Sequence, residues 1–109
     1  MPARLEVSAL VRQVQQEGGF AAVLAKGEPE AGTIMLVLVE RGSPARAYER
    51  MPQPSGLRVW NLARMEDESD PAVFSAWLDR RRLQDPDLWI VELDIPNGER
   101  FIPQTGSPG

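Results

Sequence analysis

The chain has no cysteine and no histidine among its 109 residues. Without cysteine there is no disulfide, no thiolate nucleophile and no cysteine-ligated metal. Without histidine the usual base of serine- and cysteine-nucleophile systems is missing, as is the commonest zinc ligand. Catalysis would have to run on carboxylates, arginine, hydroxyls, Tyr48 or the single lysine, Lys26. No catalytic residue is assigned on this basis, and no metal or cofactor is expected. No apolar run reaches the length of a membrane span, and "MPARLEVSAL" at the amino terminus lacks the apolar h-region of a secretory signal. These absences lead to the expectation of a cytoplasmic protein with no membrane partner. Net charge is −4, which gives no bulk attraction to nucleic acid, so nucleic acid is not an expected partner either.

What is present suits a globular domain. Apolar residues make up 42% and charged residues 26% of the chain, enough of each for an independent core with a wet surface. A single domain over residues 1–109 is expected, with its core at about 4–102 and a flexible tail at 103–109.

The apolar periodicity places the elements. Val7, Leu10, Val11 and Val14 fall at i, i+3, i+4 and i+7, which predicts a helix over 4–17 ended by Gly18-Gly19. "FAAVLAKG" (20–27) reads as a strand. "TIMLVLVER" (33–41) reads as a central strand apolar on both faces, Ile34, Leu36 and Leu38 on one and Met35, Val37 and Val39 on the other. Two alternating strands follow, 45–51 and 57–65, around a proline-bearing loop at 52–56. Asp70 and Pro71 then open a second helix over 71–84, with Val73, Phe74, Trp77 and Leu78 as its apolar face. Pro86 stops that helix at Asp85, because the residue before a proline avoids helical geometry. A strand from Trp89 follows, and Asn97-Gly98 signals a hairpin back into a short strand at 100–102.

The order is α-β-β-β-β-α-β-β. It implies an α+β fold of two layers: a mostly antiparallel five- to six-stranded sheet with both helices on one side. "GGFAAVLAKGEPEAGTIMLVLV" (18–39) and "DPDLWIVELD" (85–94), in this order and separated by a variable middle, resemble the bacterial domain-of-unknown-function 1491 family over roughly residues 4–102. The resemblance implies a small bacterial domain and transfers no functional residue.

Two acidic groups invite a metal or acid–base reading. Asp85, Asp87, Glu92 and Asp94 surround the last strong strand, but two aspartates flanking a proline are also how a chain shapes a turn. "EDESD" (66–70) precedes a helix, where acids suit the positive end of the dipole. Arg80, Arg81 and Arg82 point about 100° apart and serve the opposite end of that helix.

The sharper candidate lies in the strands 45–51 and 57–65. Pairing Tyr48 with Trp60 sets Arg50 opposite Arg58 and Arg46 opposite Leu62. One sheet face would then gather Arg46, Tyr48, Arg50, Arg58, Trp60 and Arg64. Arginines around aromatics can stack a base or hold a phosphate. The same residues can equally be an ordinary sheet face whose arginines meet nearby glutamates.

Of these readings, a non-catalytic protein-interaction module is preferred, its partner an unknown protein or a second copy in a homodimer, because two helices leave apolar sheet surface to cover. The alternative is an anion- or nucleotide-binding regulatory domain using the arginine-aromatic face. A carboxylate enzyme with a divalent metal ranks third.

Overall fold

A computed structural model of the chain describes residues 2–52, 57–102 and 107–108, without the side chains of 51, 52, 57, 58, 107 and 108. The elements are α1 (Ala3–Gln16), β1 (Phe20–Ala25), β2 (Ile34–Val39), β3 (Arg46–Pro52), β4 (Leu57–Met65), α2 (Pro71–Gln84), β5 (Trp89–Asp94) and β6 (Ser107–Pro108). A 3-10 turn at Gly98–Phe101 lies between β5 and β6.

Strong local signals set both helices. At the end of α1 the Gly19 N–H donates to Val14 O at 3.0 Å and the Gly18 N–H to Gln15 O at 3.1 Å. This paired closure of the last turn needs a left-handed residue, and Gly18 supplies it at φ 90°. Helix α2 starts at Pro71 as expected. The Asp70 side chain makes no capping bond; its backbone carbonyl instead accepts from the Val73 N–H at 3.2 Å.

The strands lie in the order β1-β5-β2-β3-β4-β6. The β2–β5 pair is parallel, and the other four neighbouring pairs are antiparallel. Strand β5 has inserted itself between β1 and β2, which are consecutive in sequence but not neighbours. Residues Ile34 to Leu38 of β2 are buried throughout, as a strand covered on both faces must be.

That two-sided burial corrects the expected layering. Val7 and Val14 of α1 pack with Ile34, Leu36 and Leu38 and with Trp89, Val91 and Leu93. Phe74 of α2, flanked by Trp77 and Leu78, packs with Met35, Val37 and Ile90 on the opposite face. The helices therefore sit on opposite sides of the sheet, one each, in place of two helices on one side. The physical reason is parity: a strand apolar at both odd and even positions needs a cover on each face.

Three further expectations change. Asn97-Gly98 does not turn a hairpin: Asn97 adopts φ 55° and leads into the 3-10 turn, so residues 100–102 form no strand. The short last strand is β6, which pairs with Leu57 and Arg58. Of the expected flexible tail at 103–109, only residues 107–108 are described, while 103–106 and 109 lie outside the described residues. Pro52 belongs to β3, opposite Arg58. It is tolerated there because β2 pairs only with residues 46–49, so beyond Glu49 that side of β3 is an edge. The rest of the expected loop, 53–56, lies outside the described residues.

Candidate functional site

The predicted arginine-aromatic face depends on the β3–β4 register. Tyr48 lies opposite Leu62, Arg50 opposite Trp60 and Pro52 opposite Arg58, two residues away from the expected pairing. The expected clash of Arg50 against Arg58 does not arise. An irregularity follows: Ala47 pairs with Arg64 while Tyr48 pairs with Leu62, leaving Ala63 unmatched. One extra residue flips everything after it to the other face. Arg64 therefore lies over the Trp77 ring of α2, 5.7 Å from its centroid, on the face opposite Tyr48 and Trp60. Arg46 lies opposite Met65. The Arg58 side chain lies outside the described residues.

The arginines that do share the Tyr48 face already have partners. Arg50 forms a two-pronged ion pair with Glu6 of α1, with one N···O distance of 2.9 Å, and stands 5.3 Å from the Trp60 centroid. Arg46 pairs with Glu99 of the 3-10 turn. Its Nε is buried without an acceptor. Tyr48 and Trp60 are half-buried against the α1-side core. On the other face Arg81 of α2 makes a two-pronged pair with Glu49 of β3, one distance 3.2 Å. Strand β3 thus latches three elements by charge: Arg50 holds α1, Arg46 the 3-10 turn and Glu49 the helix α2. The sequence pattern pointed to the arginines but not to Glu6 or Glu99, which are 44 and 53 residues away from them.

Two carboxylates have shifted titration. Glu99 is held below the ordinary glutamate range by its own backbone amide and by the Arg46 guanidinium. Asp67 is lowered by the Ser69 hydroxyl, at 2.7 Å, and the Ser69 amide, at 2.9 Å. Asp67 in "EDESD" is thus a turn-forming acid.

The "DPDLW" segment (85–89) is a turn as well. Asp85 accepts from the Asp87 N–H at 3.1 Å, and its carbonyl accepts from the Leu88 N–H at 3.1 Å. The 26–33 loop folds onto this turn. The Glu28 N–H donates to Asp87 O at 3.0 Å, and the Trp89 indole N–H donates to Glu28 O at 2.8 Å. Gly27 permits that approach, because a Cβ there would collide with the Asp87 carbonyl. Asp94 is exposed and Glu92 half-buried. Among the described residues no group of three or more carboxylates could hold a metal ion. No helix there is long and apolar enough to cross a membrane.

Apolar side chains also reach solvent along β1. This strand ends the sheet, and no residue in "FAAVLA" is charged. Phe20 is 74% exposed, Val23 45% and Leu24 40%. The sequence signal was present in that uncharged run, but nothing in it showed that β5 would take the inner side and leave the outer side open.

Residues 1–103 match the model of a family described as a protein of unknown function (DUF1491). The chain belongs to the DUF1491 family. Its fold is that of a DUF1491 protein from Caulobacter crescentus solved by crystallography, at TM-score 0.81 and 30% identity, with 95% of this chain and 96% of that one covered. Protein Atu0922 from A. tumefaciens, solved in solution, is similar at TM-score 0.73 and 30% identity, over 97% of this chain and 95% of that one. An NMR structure of a C. crescentus DUF1491 protein gives 0.74 and 29%, over 90% and 88%. No curated protein matches the chain. The family places no activity on any residue, so the functional reading rests on the geometry above.

Proposed function

We propose that this DUF1491 chain is a single-domain, cytoplasmic, non-catalytic interaction module that engages its partner by strand addition at the outer edge of β1. The observation carrying this reading is that edge itself: apolar, uncharged and without a strand neighbour among the described residues. Edges in folded proteins are ordinarily blunted by lysine, proline or a covering segment. In β1 the protection is confined to its last residues: an irregularity between Val23 and Ala25, and the Arg82 guanidinium donating to Leu24 O at 3.4 Å. Ahead of Leu24, an outer edge with no strand partner and flanked by apolar side chains favours an extended apolar segment, whose backbone supplies affinity and whose alternate side chains supply specificity. A second copy of this chain offers such a segment in its own β1, and two uncharged strands meet without repulsion.

Sedimentation equilibrium together with amide exchange tests the self-paired form. The expected result is a dimer with slow exchange over residues 20–25, abolished by Phe20→Lys. A monomer at all concentrations with fast-exchanging β1 amides would remove self-pairing.

The anion-binding alternative keeps one support, the buried Nε–H of Arg46 without an acceptor. It ranks second because the two arginines on the Tyr48 face are already neutralised by Glu6 and Glu99. Thermal shift with phosphate and ATP checks it, the expected outcome being no stabilisation.

A further inference from the structure

A second feature lies on the α1 side of the sheet, apart from the strand edge. A cleft of ≈ 430 Å³ opens between α1 and the end of β1. Its walls are apolar: Val7 and Val11 from one side, Val23, Pro29 and Trp89 from the other. That volume is within the range of small-molecule sites, which are mostly apolar with a few placed polar groups. Here the charged groups at the walls are two cations, Arg4 and Lys26, with the Ser8 hydroxyl beside them. In a chain of net charge −4, the only lysine and an arginine meet at one apolar opening.

The charge balance narrows the ligand. Arg4 is 3.6 Å from Glu30, which offsets one positive charge. Glu28 is turned into its own loop, accepting from the Glu30 amide at 2.8 Å. Lys26 has no ion-pair partner among the described residues. One uncompensated cation remains, matched by a monoanion better than by a dianion such as phosphate. The backbone amides at the start of α1 cannot add to it, since Ala3 and Arg4 donate to Glu30 O and Pro29 O. The Trp89 indole N–H is occupied by Glu28 O, so the ring contributes apolar surface alone.

We propose that this cleft binds a small aliphatic carboxylic acid, its carboxylate at Lys26 and Arg4 and its chain along Val11, Val23 and Trp89. The proposal does not depend on strand addition at β1. Both cations are on exposed side chains, so replacing them leaves the core intact.

The test is titration of the full chain with sodium decanoate, followed by two-dimensional NMR. Saturable shifts are expected at the Trp89 indole N–H and at the amides of residues 4–11 and 23–26. Decanol, with the same chain and no charge, is expected to bind about tenfold more weakly, as is decanoate to Lys26→Gln, the worth of one charge-assisted contact. Inorganic phosphate should leave the Trp89 signal in place. Equal binding of decanol, no loss in Lys26→Gln, shifts scattered over α2 and β4, or no saturable shift would each overturn the proposal.

Discussion

The two ends of the sheet are finished in different ways. At the β4 end the edge strand carries Arg64 and an unmatched Ala63, is met over Leu57 and Arg58 by β6, and lies beside β3 with its three charged latches. At the β1 end there is an uncharged strand of small and apolar residues whose inner side is paired to β5 and whose outer side is open. Leu62 and Met65 are also exposed on β4, but that stretch of the chain carries Asn61, Arg64 and Glu66 as well. The difference separates two tasks. Charge pairs across β3 hold helices and turn in place, whereas at β1 only its end, from Val23 on, is guarded, by an irregularity and by the Arg82 guanidinium on Leu24 O. An edge left without protection is where an interface is expected.

Four changes sharpen or break that comparison. The largest effect belongs to neither end: Leu36→Ala, in the fully buried middle strand, should cost about 3 kcal/mol by urea denaturation. It sets the scale for the others. Next, Arg50→Ala should cost about 2 kcal/mol, because it frees Glu6 in a half-buried site and strips the cation from Trp60. A loss below about 0.5 kcal/mol would mean that the latch is a surface pair of no structural weight.

Glu99→Gln is smaller, at most about 1 kcal/mol at neutral pH, since Glu99 is partly solvated. Its carboxyl is lowered in the folded state, so its contribution is complete above the ordinary glutamate range and is lost as pH falls through the folded-state value. The stability gap between wild type and Glu99→Gln should therefore close in acid, and a gap independent of pH would contradict the latch. Smallest of all, Phe20→Lys should change monomer stability by less than about 0.5 kcal/mol, since the ring is largely in water. Its effect should appear in association alone, which is the contrast between the two ends in its simplest form.

Local chemistry was legible and long-range pairing was not. Asp70-Pro71 and Pro86 bracketed α2, and its bounds, Pro71–Gln84, agree with that reading. The two-faced apolar run of β2 announced a doubly covered strand, and taken further it would have put one helix on each face. The arginine-aromatic face was partly readable: a shift of two residues preserves parity, so Arg50 and Trp60 did meet. The unmatched Ala63 was not readable, since no glycine or proline marks it, and it alone carried Arg64 to the far side. Asn97-Gly98 misled because a left-handed asparagine serves a 3-10 start as well as a hairpin. The Glu6 and Glu99 partners depend on tertiary placement, for which residue type and spacing hold no signal.

The placement of β5 governs the order of assembly. Phe20 finds its hydrogen-bonded neighbour in Asp94, nearly at the other end of the chain. During synthesis β1 therefore leaves the ribosome long before the strand that will flank it exists, and both of its sides stay unsatisfied meanwhile. Closure of so distant a pair is slow, and an exposed apolar ribbon is the species most prone to pair with the wrong chain.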